Sequence, residues 1–346
     1  MSHKLAFIGF GGVGQGLADI LINKGSWLKE KFGTDFKVVS ISDLYKGSLH
    51  NSDGLDLEKV MSTLREHGTL ENYPEEEGLI RGWDSNTTIL ESNADTMIEI
   101  TFTDVRTGQP AIDHCKKAFA SGKNAVLTNK GPVALAYEEL KALADKNNVR
   151  FLFEGTVMSG TPALRMPLAA LAGNEIKEVR GIFNGTTNYM LAKMENGMPF
   201  DNALKEAQSK GFAEADPTND VEGYDVLYKV VILANVVMGS SLKKEDVKCE
   251  GITALSPAHM QEAAQEGKKW KLIGKVKNVD GKVTASVGPE KLEESDPLAG
   301  ITGALNAVTY ECDLSGPVTL IGAGAGIPET GFALLIDLIN LEKDNI

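Results

Sequence analysis

Asp225 and Lys229 stand at i and i+4 in GFAEADPTNDVEGYDVLYKVVILANVVMG, the segment from Gly211 to Gly239, and that spacing puts a carboxylate and an amine on one helix face. On a solvated surface the pair is an ordinary salt bridge worth about 0.2–0.5 kcal/mol. The residues that follow point to another setting. From Val230 to Met238 the only polar side chain is Asn235, and a helix apolar all round is an interior helix. Charges at its N-terminal end then face a pocket, because burying an ion without a partner or a role costs several kcal/mol. Desolvation lowers a lysine pKa by about 3–5 units from roughly 10.4, whereas neighbouring carboxylates raise it. Asp225 and Glu214 would thus keep Lys229 charged enough to give a proton to a carbonyl oxygen while a hydride donor reduces the carbon. The same carboxylates suit a substrate ammonium group.

A second chemical feature lies near the start of the chain. Gly9, Gly11 and Gly14 have GxGxxG spacing directly after an apolar run, where backbone can approach a pyrophosphate and a helix N-terminus can stabilise its charge. A dinucleotide is the ligand this turn implies. The acidic residue expected roughly 20 residues on is late: Asp43 closes the second strand, with Lys46 close behind. A carboxylate there favours ribose hydroxyls and a cation favours an extra phosphate, so NAD and NADP both stay open. Thr101 and the run Thr128, Asn129, Lys130 fall at later strand ends, the edge where such a sheet binds ligand. Gly322, Gly324 and Gly326 either permit another backbone approach or form a plain turn.

These groups need elements to hold them. KLAFIG, Phe36 to Asp43, MIEITF, NAVLTN and RFLFEGTV read as strands, alternating with helices from Val13 to Phe32 (bent near Gly25), Pro110 to Ala120 and Tyr137 to Lys146. Strands alternating with helices imply a doubly wound parallel sheet. Lys46 to Trp83 is polar and glycine-studded, with one amphipathic stretch around Leu57 to Leu64, and reads as an insertion. After Gly160 the pattern becomes α+β: helices near Ala203 to Ser209 and Glu222 to Met238, and strands at EVRGIF, KWKLIGKV, KVTASV, NAVTYEC and PVTLIG. Pro217 to Asp220 supply stop and cap signals for a helix starting near Val221. Phe332, Leu335, Ile336 and Ile339 give the tail the apolar period of a helix able to pack on the first domain.

The chain has 346 residues, 42% hydrophobic and 24% charged, a globular composition long enough for two or three structural units. Its formal charge of -13 repels phosphate backbones and anionic membranes, which argues against nucleic-acid or membrane partners. The 3 cysteines show no CxxC spacing and the 5 histidines no HxxxH or HxH pair, so neither a disulfide framework, a zinc site nor a Ser/His/Asp triad is expected. None of the cysteines has the setting of a thioester nucleophile, which argues against a phosphorylating aldehyde dehydrogenase. No secretory or membrane segment is evident, and the expected location is cytoplasmic.

AQSKGFAEADPTNDVEGYDVLYK (Ala207 to Lys229), NGTTNYML (Asn184 to Leu191), TNKGPVALAYEEL and DVRTGQPA together resemble the homoserine dehydrogenase family, and the likeness runs along nearly the whole chain. It looks like the short, monofunctional form, with neither a regulatory domain nor a fused kinase. The resemblance implies a Rossmann-type domain over 1–153, rejoined by a helix over 327–346. It further implies a hinge and dimerisation region over 154–165 and 298–326, and a substrate domain over 166–297. The implied activity is NAD- or NADP-dependent interconversion of L-homoserine and L-aspartate 4-semialdehyde, toward threonine and methionine, by a homodimer.

By the same resemblance Lys229 is the proton donor or acceptor, with Lys130 beside it. Glu214, Asp225, Asp220 and Thr186, the last in the GTTN turn, hold the substrate. Phe10, Gly11, Gly12, Val13, Gly14, Asp43, Thr101, Thr128, Lys130 and Gly326 hold the cofactor. Glu154, Val157, Ser159 and Thr161 match positions for a monovalent cation such as Na+. Phe212 stands where some members carry tyrosine, and the segment from Lys46 to Trp83 has no placed counterpart. Two rivals share the bare chemistry: a dehydrogenase or reductase of another amino acid semialdehyde, and a nonenzymatic dinucleotide sensor.

Overall fold

The computed structural model describes residues 2–104 and 106–342 and divides the chain into two units, Met1–Thr156 with Gly326–Ile346, and Val157–Ala325.

In the first unit, β1 (Ser2–Ile8) leads through the glycine turn into α1 (Gly12–Phe32) and β2 (Asp35–Asp43). The residues from Lys46 to Trp83 are not a loop added outside the fold. They form β3 (Gly47–His50), α2 (Leu57–His67) and β4 (Ile80–Arg81), and β3 and β4 extend the sheet as antiparallel strands. Asp56 caps α2 by accepting from Lys59 N, and Leu49, Val60, Met61 and Leu64 join the main core. The periodicity was present around Leu57, but short strands among glycines carry little apolar pattern of their own.

The chain continues with α3 (Ser85–Glu91), β5 (Thr96–Glu99), α4 (Ala111–Ala120), β6 (Asn124–Leu127), α5 (Lys130–Lys146) and β7 (Phe151–Leu152). The sheet order is β4-β3-β2-β1-β5-β6-β7, with β2, β1, β5, β6 and β7 parallel. Strands 2 and 5 leave β1 on opposite sides, which makes the carboxyl end of β1 the switch point of the sheet.

Two local expectations need correction and a third needs extending. Helix α1 runs unbroken through Gly25, where an added Cβ would meet nothing within 4 Å; a solvent-facing glycine weakens a helix without bending it. Helix α5 begins at Lys130, where Asn129 caps it, and is interrupted at Ala136 (φ -142), so the helix expected from Tyr137 to Lys146 is its second segment, preceded by a first one that the sequence did not announce. RFLFEGTV is a strand only at Phe151 and Leu152, before a tight helical turn at Glu154–Thr156.

The second unit is built on a six-stranded sheet of order β13-β12-β8-β10-β11-β9. Its strands are β8 (Ile176–Ile182), β9 (Lys248–Cys249), β10 (Lys268–Val279), β11 (Lys282–Glu293), β12 (Leu305–Cys312) and β13 (Gly316–Ala323). Its helices are α6 (Gly185–Glu195), α7 (Phe200–Ser209), α8 (Thr218–Val221), α9 (Tyr224–Val237) and α10 (Pro257–Gln265). The apolar run of α9 is interior, with Val230 to Ala234 at 0% exposure, packed on β10 and β11. The helix expected from Val221 is two pieces: α8 ends, Gly223 takes a left-handed turn at φ 83, and α9 starts at Tyr224. The cap signals at Pro217 to Asp220 therefore belong to α8.

The terminal helix α11 (Ile327–Glu342) belongs to the first unit, and the remainder of the expected 327–346 helix lies outside the described residues. It packs on α1 so closely that a Cβ on Gly331 would come 2.9 Å from the Gly16 carbonyl carbon. Leu334, Leu335, Leu338 and Ile339 complete a core with Leu5, Phe7, Leu17, Ile98 and Val126.

Candidate active site

In the second unit Lys229 is 6% exposed, and its Nζ donates to Asp225 Oδ2 and to the Phe183 carbonyl, each at 2.6 Å. One turn of α9 supplies both members of the ion pair, and the end of β8 supplies the carbonyl. Asn184 then joins three elements. Its Oδ1 caps α6 by accepting from Thr187 N at 2.9 Å, while its Nδ2 donates to Asp220 Oδ1 at 2.6 Å and Asp225 Oδ2 at 3.0 Å.

Burial pushes the Asp220 carboxyl above its ordinary value, helped by the charges of Asp225 and Glu214 and opposed by the Asn184 amide and Lys229. Glu214 itself is exposed. Lys229, Asp225, Asp220 and Glu214 therefore form one electrostatic cluster. Thr186 is not in a free turn: it lies in the first turn of α6, buried, and its hydroxyl donates to the Phe212 carbonyl at 2.5 Å. That bond tethers the loop carrying Glu214, and the exposed Phe212 ring packs edge-on against Tyr189 at 5.1 Å. Sequence reading missed Asn184 as a site residue, although its position before GTTN is a helix-cap signal.

In the first unit the glycine turn fits a pyrophosphate. Gly9 has φ +88 and a Cβ there would lie 2.8 Å from the Ile100 carbonyl oxygen, so only glycine holds this turn. At Gly11, by contrast, a Cβ would meet no protein atom within 4 Å. Gly11 is the N-cap of α1, with no side-chain cap and no acidic residue in the first turn. A helix terminus so arranged offers N–H donors and a positive end to an anion. Gly12, Val13 and Gly14 form its first turn.

Asp43 is tied to that turn. Its Oδ2 accepts from Phe10 N at 2.7 Å, and its Oδ1 from Tyr45 N at 3.0 Å and Lys46 N at 2.9 Å. Burial raises the Asp43 pKa, but these backbone donors and the Lys46 charge outweigh it and hold the carboxyl below its ordinary value. Lys46 Nζ is 3.9 Å from Asp43 Oδ2.

Thr101, Thr128 and Lys130 follow β5 and β6. Asn129 links them: its Oδ1 accepts from Gly131 N at 3.0 Å, capping the helix that starts with Lys130, while its Nδ2 donates to the Thr101 carbonyl at 3.2 Å. Gly326 opens α11 with φ +137, and its carbonyl accepts from Thr330 N at 2.9 Å.

The residues matched to a cation divide between the units, Glu154 in the first and Val157, Ser159 and Thr161 in the second. Met158 and Ser159 have φ 58 and 53, and Thr161 Oγ1 donates to the Ala323 carbonyl at 3.1 Å. Among the described residues no group of three or more His, Cys, Asp or Glu gathers as a metal site. No helix among them is long and apolar enough to cross a membrane.

Comparison with known proteins bears on both units. The homoserine dehydrogenase family model matches residues 162–339, and the glutamate/leucine/phenylalanine/valine dehydrogenase model matches residues 2–105. An NAD(+)-dependent homoserine dehydrogenase of Pseudomonas canavaninivorans is 44% identical over 342 residues, covering 99% of this chain and 96% of that protein. The homoserine dehydrogenase of Methanocaldococcus jannaschii is 42% identical over 338 residues, covering 97% and 98%. A hyperthermophilic archaeal homoserine dehydrogenase in complex with NADPH superposes with a TM-score of 0.85 at 29% identity, covering 100% of this chain and 99% of that one. With likeness running from end to end in both sequence and fold, this chain belongs to the homoserine dehydrogenase family.

Proposed function

We propose that the chain interconverts L-homoserine and L-aspartate 4-semialdehyde with NAD or NADP, in the supply of threonine and methionine, and that Lys229 moves the proton. The observation that carries the reading is the buried Lys229 amine held between the Asp225 carboxylate and the Phe183 carbonyl. When bound, the dinucleotide supplies the hydride acceptor or donor. In the oxidising direction Lys229 as the neutral amine takes the substrate hydroxyl proton, and in the reducing direction its ammonium returns it. Asp225 and Asn184 fix where that nitrogen sits. The exposed Glu214 and the Asp220–Asp225 cluster present negative charge suited to the amino acid's ammonium. Lys130, at the start of α5, is a second cation for the charge that develops on the reacting oxygen.

Residues Phe10 to Gly14, with Thr101, Thr128 and Gly326, hold the dinucleotide in this reading. An ionised Asp43 repels a 2′-phosphate, so NAD is the preferred form and Lys46 allows some use of NADP. The left-handed backbone at Met158 and Ser159 supports a monovalent cation such as Na+ near Val157, Ser159 and Thr161. Strand β13 lies at a sheet edge with Leu314 and Ile321 exposed nearby, which supports a homodimer formed through this side of the second unit. The cytoplasm is the proposed location.

The test is absorbance at the reduced nicotinamide band with L-homoserine or L-aspartate 4-semialdehyde. Turnover of these two above near analogues supports the reading. Turnover only of another semialdehyde, or binding of dinucleotide with no turnover at all, overturns it.

A further inference from the structure

Glu99 ends β5 at 0% exposure, a carboxylate fully inside the first unit that the chemistry above does not use. It is not an isolated charge. Its Oε2 lies 2.6 Å from Nδ1 of the buried His114 on α4, and its Oε1 accepts from Thr101 N at 2.9 Å and also from the Thr101 hydroxyl. Burying such a group costs several kcal/mol unless it is fully hydrogen-bonded, and here both oxygens are engaged.

The consequence lies in the polarity of Thr101. A hydroxyl has one proton and two lone pairs. With the proton committed to Glu99, and the Asn129 amide 3.4 Å from the oxygen, Thr101 Oγ1 can only accept from a ligand. We propose that Glu99, itself oriented by His114, is a positioning residue that fixes Thr101 as an acceptor for a hydrogen-bond donor at the nicotinamide end of the cofactor. This rests on the reading that the dinucleotide lies along the carboxyl ends of β1 and β5. Two cofactor groups share the donor chemistry, the carboxamide NH2 and a ribose hydroxyl.

Calorimetric titration of the full chain with NADH tests the proposal, with thermal unfolding as the control for fold. T101V should weaken binding roughly 3- to 10-fold, the range one hydrogen bond supplies, while T101S stays within about twofold of wild type. E99M should weaken binding to a similar extent and E99Q, which keeps an acceptor, much less. The double variant E99M/T101V should bind no worse than T101V, since both remove one interaction. With the 3-acetylpyridine analogue of NADH, a T101V effect that vanishes identifies the carboxamide as the donor, and one that persists identifies the ribose.

If wild type binds NADH and T101V binds equally well, the proposal fails and the cofactor reading stands. Additive effects of E99M and T101V also overturn the positioning role. Should E99M not fold, the contrast between T101V and T101S still decides. Wild type that binds no NADH overturns the underlying reading itself.

Discussion

Lys229 Nζ and Asp225 Oδ2 are 2.6 Å apart, one turn of α9 from each other, with the lysine side chain at 7% exposure and the aspartate at 18%. The same spacing on a solvated helix would be a weak pair. Here the contact sits beneath Asn184, which donates to the same carboxylate oxygen. Replacing Asp225 by Ala leaves a buried ammonium without its counter-ion, so D225A should lower both thermal stability and turnover, stability by about 3 kcal/mol or more. Chemical denaturation and steady-state kinetics on one preparation check this; a fully stable, active D225A contradicts it.

Asn184 has two jobs, capping α6 and bridging Asp220 to Asp225. N184A should cost about 1–2 kcal/mol for the lost cap. N184D keeps the cap but puts a further carboxylate directly between Asp220 and Asp225, and its kcat should drop well below that of N184A. Comparable kcat values in the two variants would dissociate Asn184 from the cluster.

Asp220 supplies a pH-dependent check. Its folded pKa is raised by burial above 3.8, so the ionised form destabilises the fold at neutral pH, and that penalty disappears as pH falls through the raised folded value. D220N should raise the unfolding temperature at pH 7, and the gain should shrink as the pH is lowered toward 4. A gain independent of pH, or a loss at neutral pH, argues against the buried charge. If Asp220 helps hold substrate, the same variant raises KM for L-homoserine.

The two ends of the glycine turn should respond in opposite ways. G9A forces a left-handed residue against the Ile100 carbonyl and should destabilise by roughly 2 kcal/mol. G11A meets only open space, so it should fold normally and lose affinity for NADH by an order of magnitude. Calorimetry and thermal melts separate the two. A G11A protein with native affinity contradicts the placement of the pyrophosphate.

Asp43 sets a further expectation. Its depressed pKa contributes stability that is present above 3.8 and is lost as pH falls through the lower folded value. D43A should shift the ratio of kcat/KM for NAD+ over NADP+ downward by about tenfold or more, with NAD+ use falling because the Phe10, Tyr45 and Lys46 amides lose their acceptor. An unchanged ratio assigns cofactor choice to other residues.

Much of the fold was legible because its signals are local. The run from Val230 to Val236 announces an interior helix, and the alternation from β1 to β7 announces a parallel sheet. The segment from Lys46 to Trp83 was misread because β3 and β4 are short strands stabilised by their pairing, β3 with β2 and the edge strand β4 with β3, which sequence periodicity does not encode. The break between α8 and α9 turns on one left-handed glycine. In the site, Asp225 and Lys229 could be paired by spacing alone. Glu99 could not: its partner His114 lies on another element, and a lone glutamate in MIEI gives no sign of being buried.

The most direct measurement is turnover of L-homoserine by Lys229→Met, alongside NADH affinity and thermal stability. A neutral side chain of similar length removes the counter-ion of Asp225 and so costs some stability, but at temperatures where the variant stays folded NADH binding should be near wild type while kcat falls by a factor of about 100 or more. A K229M protein that oxidises L-homoserine at close to the wild-type rate would mean that another group moves the proton, and the assignment of Lys229 would be wrong.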